Sequence, residues 1–289
     1  MVVMDIVETI EQAREWSSAV RRRGDRVGLV PTMGALHAGH FSLIDQAISA
    51  CDAVAVTIFV NPLQFGPGED LNRYPRSFDA DVSACRGRGV GMVFCPAPDE
   101  MYPRPPVVRV TAGPLADGLC GATRPGHFDG VCTVVTKLFQ IIHPRRAYFG
   151  EKDYQQLVII RRMVSDLNMP IEIVGCPTVR ESDGLAISSR NRYLSQPVRR
   201  QAGSIYRVLQ EARAAILDGQ RDARTIAAQV RHGLIEGGAQ YVEYVAVVDP
   251  ESLKPVTRID GLVRLCVAAR FGEARLIDNM AVDAPHVDR

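Results

Sequence analysis

The sequence has almost no surplus charge: 34 Lys and Arg stand against 33 Asp and Glu, a formal balance of +1. A nucleic-acid-binding surface is usually marked by a basic excess, so no nucleic-acid partner is expected. Long apolar runs are missing too. The longest, AVAVTIFV at 53–60, is far short of the roughly 20 residues that cross a bilayer, so no membrane partner is expected. Asp5, Glu8 and Glu11 occupy the opening turns, where a secretory signal would be basic and then apolar; the expected location is the cytoplasm. The 7 Cys contain no C-x-x-C pair. Their odd number also argues against a zinc cluster or a disulfide framework. Cys95 and Cys266 lie in apolar runs, where a thiol packs as a small hydrophobe.

What remains is 289 residues, 46% of them hydrophobic, enough for one large or two modest domains with a packed core. Short β-rich runs alternate with longer helical patterns. Strands are expected at 27–30, 53–60, 92–95, 147–149 and 171–174, and helices at about 40–50, 77–88, 131–142 and 154–167. This rhythm indicates parallel βαβ units and a doubly wound α/β sheet, which binds ligands beyond the carboxyl ends of its strands. After Asn191 the texture changes to two long helical patterns, about 198–218 and 223–235, followed by β-rich runs at 241–248 and 262–269. The expected organisation is therefore a larger domain, 1–184, and a smaller α+β domain, 185–289, with the Glu181-Ser182-Asp183-Gly184 turn as a hinge.

The loops after the strands hold the chemistry. Met33-Gly34-Ala35-Leu36-His37-Ala38-Gly39-His40 passes from the first strand into the first helix. A helix start presents unpaired N–H groups and a positive dipole end to phosphate oxygens. His37 and His40, three apart, share one face of the turn, and Gly34 and Gly39 allow close approach of a backbone or a flat base. The combination suits a nucleotide attacked at its α-phosphate. Two unrelated surface histidines, or a metal-binding pair lacking nearby carboxylate or Cys partners, are the plainer alternatives. Gly150-Glu151-Lys152-Asp153 also follows a strand and opens a helix, with Lys152 available for phosphate charge. Ile187-Ser188-Ser189-Arg190 supplies two hydroxyls and a guanidinium, groups that can hold pyrophosphate oxygens as they gain charge. Gln64 and Gln156 can both donate and accept, as a hydroxylated substrate requires.

H-x-G-H after the first strand resembles the HIGH-type signature of nucleotidylyl transferases and class I aminoacyl-tRNA synthetases. The ordered blocks P-T-M-G-A-L-H-A-G-H, N-P-L-Q-F, Y-P-R, R-P-G-H-F-D-G-V, F-G-E-K-D-Y-Q-Q-L and D-G-L-A-I-S-S-R-N-R-Y-L, with R-L-I-D-N-M near the end, resemble the pantothenate synthetase (pantoate–β-alanine ligase) family. The resemblance implies a Rossmann-like ATP-binding sheet, a homodimer, Mg2+, and the small-molecule substrates ATP, pantoate and β-alanine. It implies that residues 33–40, Gly150, Glu151, Lys152, Asp153, Val179 and 187–190 contact ATP, with His40, His37, Lys152 and Arg190 acting in catalysis. It further implies that Gln64 and Gln156 bind pantoate, that Gln64 also meets β-alanine, and that Arg124 and His127 lie where substrate enters.

In one place the chain departs from the family. Beyond Tyr74-Pro75-Arg76, where acidic residues that help hold magnesium are usual, the chain reads Asp79-Ala80-Asp81; Asp81 is a weak metal candidate and the protein ligands stay unassigned. Magnesium often keeps its waters and binds mainly through substrate phosphates. Two other functions remain open on sequence: a different small-molecule nucleotidylyl transferase, and an ATP-binding module without chemistry. A tRNA-charging enzyme is disfavoured by the absence of a basic surplus.

Overall fold

The protein is described here by a computed structural model over residues 4–285. It divides into two compact units. The first takes the described residues up to Gly113, then Arg124–Glu151 and Gln156–Pro177; the second takes Pro114–Thr123, Lys152–Gln155 and the described residues from Thr178 onward. In chain order the strands are β1 (Asp5–Val7), β2 (Val27–Thr32), β3 (Ala53–Ile58), β4 (Met92–Phe94), β5 (Arg146–Gly150), β6 (Glu172–Cys176), β7 (Tyr241–Val248), β8 (Gly261–Phe271) and β9 (Ala274–Ala284). The helices are α1 (Ile10–Arg22), α2 (Ala38–Ala50), α3 (Phe78–Gly87), α4 (Pro98–Met101), α5 (Leu119–Thr123), α6 (His127–Ile142), α7 (Tyr154–Asp166), α8 (Gln196–Ala202), α9 (Ser204–Leu217) and α10 (Ala223–Glu236).

The first unit is built on a six-stranded parallel sheet in the order β1-β4-β3-β2-β5-β6. Its central strands are nearly continuous apolar runs, as expected when helices cover both faces. Val30, Val54, Val56 and Val93 pack with Ile44 and Ala47 of α2. Local chemistry sets the helix ends. Thr9 and Gln12 form a reciprocal capping box that starts α1, and Arg21 and Arg22 complement the dipole at its end. The helix expected from 131 begins earlier, at His127, because Gly126 adopts φ 78 as its N-cap and turns the chain straight into α6.

The second unit carries the antiparallel sheet β7-β8-β9, packed against α9 and α10 through Ile205, Val208, Leu209, Ile226, Val230, Val247, Val267 and Leu276. The expected single helix over 198–218 is two helices meeting at Gly203, where an added Cβ would stand 2.8 Å from Asp183 Oδ2. The expected hinge at 181–184 is a tight turn within this unit. Glu181 N–H donates to Leu185 O (2.9 Å) and Gly184 N–H to Glu181 O (2.9 Å). Arg199 clamps Asp183 at 2.6 and 3.0 Å, and this hydrogen-bonded guanidinium holds the carboxyl below its ordinary range.

Burial pushes the thiols of Cys85 and Cys176 up to about 11 and those of Cys132 and Cys266 up to about 12. These groups pack as neutral hydrophobes.

Candidate functional site

The order of the parallel strands locates the crevice. From β2 the chain winds one way through β3 and β4 and the other way through β5 and β6, so the winding reverses between β2 and its neighbour β5. Ligands of doubly wound sheets bind beyond the carboxyl ends of the strands at such a reversal. Two of the segments singled out in the sequence stand there: the loop Met33–His37 after β2, and Gly150-Glu151 after β5.

The β2–α2 loop is fixed by its own backbone. The Thr32 hydroxyl donates to Thr57 O (2.6 Å) and accepts the Gly34 N–H (3.1 Å). Gly34 and Ala35 then take positive φ values of 85 and 51, bringing two successive amides to one carboxylate: Ala35 N–H donates to Asp81 Oδ2 (2.8 Å) and Leu36 N–H to Asp81 Oδ1 (2.9 Å). The side chains of Ala35 and Leu36 are buried. His37, extended at φ −146, is the N-cap of α2. Phe41 N–H makes the first bond within the helix, to His37 O at 3.0 Å, so Ala38 and Gly39 N–H lack intrahelical acceptors and sit at the positive end of the dipole. The rings of His37 and His40 lie 4.0 Å apart between centroids, tilted by 31°. Gly39 makes that arrangement possible, since a Cβ there would stand 3.0 Å from His37 Cε1.

Beside this loop, Gln64 is 9% exposed. Its amide donates from Nε2 to Met33 Sδ (3.0 Å) and accepts at Oε1 from Asn61 Nδ2 (3.1 Å). Asn61 is oriented in turn by Gly130 O (3.1 Å) and by the Tyr102 hydroxyl, which donates to its Oδ1 (2.9 Å); burial pushes the Tyr102 phenol up to about 12. Arg124 and His127 belong to the same cluster. His127 Nδ1 lies 2.7 Å from Gln64 O, an acceptor only, so Nδ1 carries the proton and Nε2 accepts from Arg124 Nη1 (2.9 Å). Arg124 also grips Glu69 at 2.7 and 2.6 Å. Burial raises the Glu69 carboxyl, but the Arg124 hydrogen bonds and charge outweigh it and hold the group below the ordinary carboxylate range. Gln156 is half-buried on the first turn of α7.

The remaining sequence-derived residues fall in the second unit. Lys152 and Asp153 lie on the turn Glu151–Asp153 that leads into α7. Asn279 Nδ2 donates to Lys152 O (3.0 Å), and Lys152 Nζ stands 3.7 Å from Asp153 Oδ2. Val179 and Ile187 are brought together in a short hairpin, Ile187 N–H donating to Val179 O at 3.0 Å. Ser188 caps the turn Ser189–Tyr193, its hydroxyl accepting the Arg190 N–H (3.3 Å). The hairpin is anchored by Arg180, which holds the buried Asp278 at 2.6 and 3.0 Å and Gly184 O at 3.0 Å.

Sequence reasoning missed the orienting residues Asn61, Tyr102, Glu69 and Gly130. It saw Asp81 only as a weak metal candidate, whereas both its oxygens are engaged by loop amides and the Ser77 hydroxyl, which donates to Oδ1 at 3.0 Å. Its partners lie 45 and 46 residues away in the chain, a distance that local spacing does not reveal. Among the described residues no group of three or more His, Cys, Asp or Glu is placed to hold a metal. Nor is any helix long and apolar enough to cross a membrane.

Comparison with known proteins shows the family. The family described as Pantoate-beta-alanine ligase matches residues 5–281. A pantothenate synthetase of Thermotoga petrophila is 50% identical over 276 residues, covering 96% of this chain and 99% of the relative. One from Moorella thermoacetica is 49% identical over 280 residues, covering 97% and 99%. Among solved structures, pantothenate synthetase from Thermus thermophilus superposes with a TM-score of 0.90 at 47% identity, covering 96% of this chain and 99% of that one. Pantoate-beta-alanine ligase from Francisella tularensis, complexed with beta-gamma ATP and beta-alanine, gives 0.80 at 34% identity, covering 96% and 97%.

Proposed function

Since the chain belongs to the pantoate–β-alanine ligase family and joins pantoate to β-alanine at the expense of ATP, we propose that it does so through a pantoyl adenylate. A pantoate carboxylate oxygen attacks the α-phosphorus, forming an acyl–phosphate bond as the bond to pyrophosphate breaks. The β-alanine amine then attacks the acyl carbon, forms the amide of pantothenate, loses a proton and displaces AMP. No enzyme nucleophile is required, so the protein contributes position and charge.

The observation that carries this reading is the His37–His40 ring pair on the opening turn of α2, at the point where the strand order reverses. We assign to these imidazoles the stabilisation or protonation of α-phosphate oxygens, with the Ala38 and Gly39 amides adding dipole. Met33, Gly34, Ala35 and Leu36 shape the loop under the nucleotide. Gln64, held by Asn61 and Met33, takes pantoate and then β-alanine, and Gln156 takes pantoate; Arg124 and His127 keep the Gln64 backbone in place. Gly150 and Glu151 are assigned to the nucleotide border, Lys152 and the Ser188-Ser189-Arg190 turn to pyrophosphate charge, and Asp153, Val179 and Ile187 to the nucleoside side.

Magnesium belongs to this reading as the usual companion of ATP. The described residues do not form a cage for it and Asp81 is committed to the loop, so substrate phosphates and water would be its main ligands. We also assign the protein to the cytoplasm as a homodimer, following the family.

The test is isotope exchange: label passes from pyrophosphate into ATP only when pantoate is present, and His40→Ala lowers that rate by about 10²- to 10³-fold, the usual loss when a charge-stabilising donor is removed. Exchange without pantoate, or undiminished exchange in His40→Ala, rejects the assignment.

A further inference from the structure

The carboxylate of Asp81 occupies an unusual place: it is the internal anion of the loop that starts α2. Successive backbone N–H groups in a turned conformation form a concavity that binds anions, and here Ala35 and Leu36 N–H close on the two oxygens of Asp81, at 2.8 and 2.9 Å. The residue is 3% exposed, and the Ser77 hydroxyl donates a third bond to it at 3.0 Å. Ala35 is the crux, because a side-chain-bearing residue at φ 51 is held there only by its surroundings. A cavity of about 350 Å³ lies against Met33, Gly34 and Ala35, bounded also by Ile58, Phe59 and Ser77; beside it the Asp81 hydrogen bonds hold the loop together with the packing of Ile58 on Gly34.

We propose that Asp81 is a positioning residue for adenylate formation, its carboxylate filling the Ala35–Leu36 amide nest and so setting where His37 and His40 stand at the head of α2. Leu36 immediately precedes the N-cap His37, so releasing the nest lets the turn relax from its left-handed conformation and moves both imidazoles. Misplacement by an ångström is enough to lower a rate by about 10²-fold. Asp81 itself touches no substrate in this scheme. The proposal rests on the assignment of His37 and His40 to the α-phosphate.

The test compares Asp81→Asn, Ser77→Ala and His40→Ala in the full-length protein by pantoate-dependent pyrophosphate exchange, with urea unfolding alongside. Asn keeps one acceptor but turns an NH2 toward the second amide. It is expected to lower kcat for exchange about 10²-fold with little change in the KM for ATP, and raised magnesium does not restore it. Ser77→Ala removes the hydroxyl that orients the Asp81 carboxylate and loosens its seat in the nest, giving a drop of a few fold in a protein that folds normally. With 6 His in the chain, the imidazole carbon–proton spectrum is readable. The His37 and His40 signals shift in both Asp81→Asn and Ser77→Ala, while that of His232 on α10 does not.

Exchange by Asp81→Asn at the unmodified rate, or recovery on adding magnesium, overturns the proposal, the latter by making Asp81 a metal ligand. If Asp81→Asn does not fold, unchanged kcat and unchanged His37 and His40 signals in Ser77→Ala overturn it instead. Loss of exchange in His40→Ala without loss in Asp81→Asn rejects only the role of Asp81, whereas full exchange in His40→Ala rejects the underlying assignment.

Discussion

Replacing Gly130 by Ala should destabilise this protein even though it places a better helix former inside α6. An Ala gains roughly 1 kcal/mol over Gly in a helix interior. At this position, however, a Cβ would stand 2.2 Å from Leu63 O, 2.4 Å from Leu63 C and 2.7 Å from Gln64 N. All three are backbone atoms, which cannot swing aside as a side chain can, and relieving them takes a shift of about 1 Å. Overpacking of this kind costs about 1–3 kcal/mol. The shift also strains the bond from Asn61 Nδ2 to Gly130 O, worth about 1 kcal/mol. The helix gain offsets part of this, leaving a net loss of about 1–3 kcal/mol. Because Gln64 N is one of the atoms displaced, kcat/KM for pantoate should fall about 10²-fold. Gly87, at the end of α3 with nothing within 4 Å of its Cβ position, is the control; Gly87→Ala should be neutral or gain up to about 1 kcal/mol. Urea midpoints and initial rates for both variants decide the matter. If Gly130→Ala is as stable as Gly87→Ala and keeps its pantoate KM, the close approach of α6 to the 62–64 turn is not what holds Gln64.

The Glu69–Arg124 pair gives a pH signature. A carboxyl lowered in the folded state contributes stability fully above its unfolded pKa of about 4.3 and loses it as pH falls through the lower folded value. The urea midpoints of wild type and Glu69→Gln should therefore be well separated near neutral pH and converge as pH falls through the lowered folded pKa; a separation that does not shrink anywhere in the acid range refutes this. The cysteines give a chemical one. Cys51 and Cys95 are half-buried and the other five buried, and burial keeps Cys85, Cys132, Cys176 and Cys266 protonated. A thiol reagent at neutral pH should modify Cys51 and Cys95 first and the rest only on unfolding; prompt labelling of Cys132 in the native protein contradicts this.

The parallel sheet was legible because its strands are written twice, as continuous β-branched runs and as gaps filled by amphipathic helices. Val27–Thr32 and Ala53–Ile58 differ from expectation by at most two residues at an end, as does Tyr241–Val248 of the antiparallel sheet. Of the features that escaped, some have a clear physical reason. β1 has 3 residues and depends on pairing with β4. In β9 the polar pair Asp278 and Asn279 interrupts the apolar pattern; Asp278 is buried there because Arg180 neutralises it at 2.6 Å. The break falls at Gly203, where the close approach of Asp183 leaves no room for a Cβ, a contact that helical periodicity cannot register.

The site followed the same rule. His37, His40, Gly34 and Gly39 could be read from local geometry, because what they do is decided within one strand-to-helix turn. Gln64 is proposed as a binding group through resemblance, and its orientation, set by Asn61, Met33 and Gly130, is not visible in local spacing. Asp81 was the hardest. A carboxylate in a helix's first turn normally faces that helix's own amides, and this one instead serves a loop 45 residues earlier. Its identity as an acid is visible in sequence, but its partner is not. Here two amides and one hydroxyl take both oxygens, and Ala80 beside it takes no part in holding the His37–His40 turn.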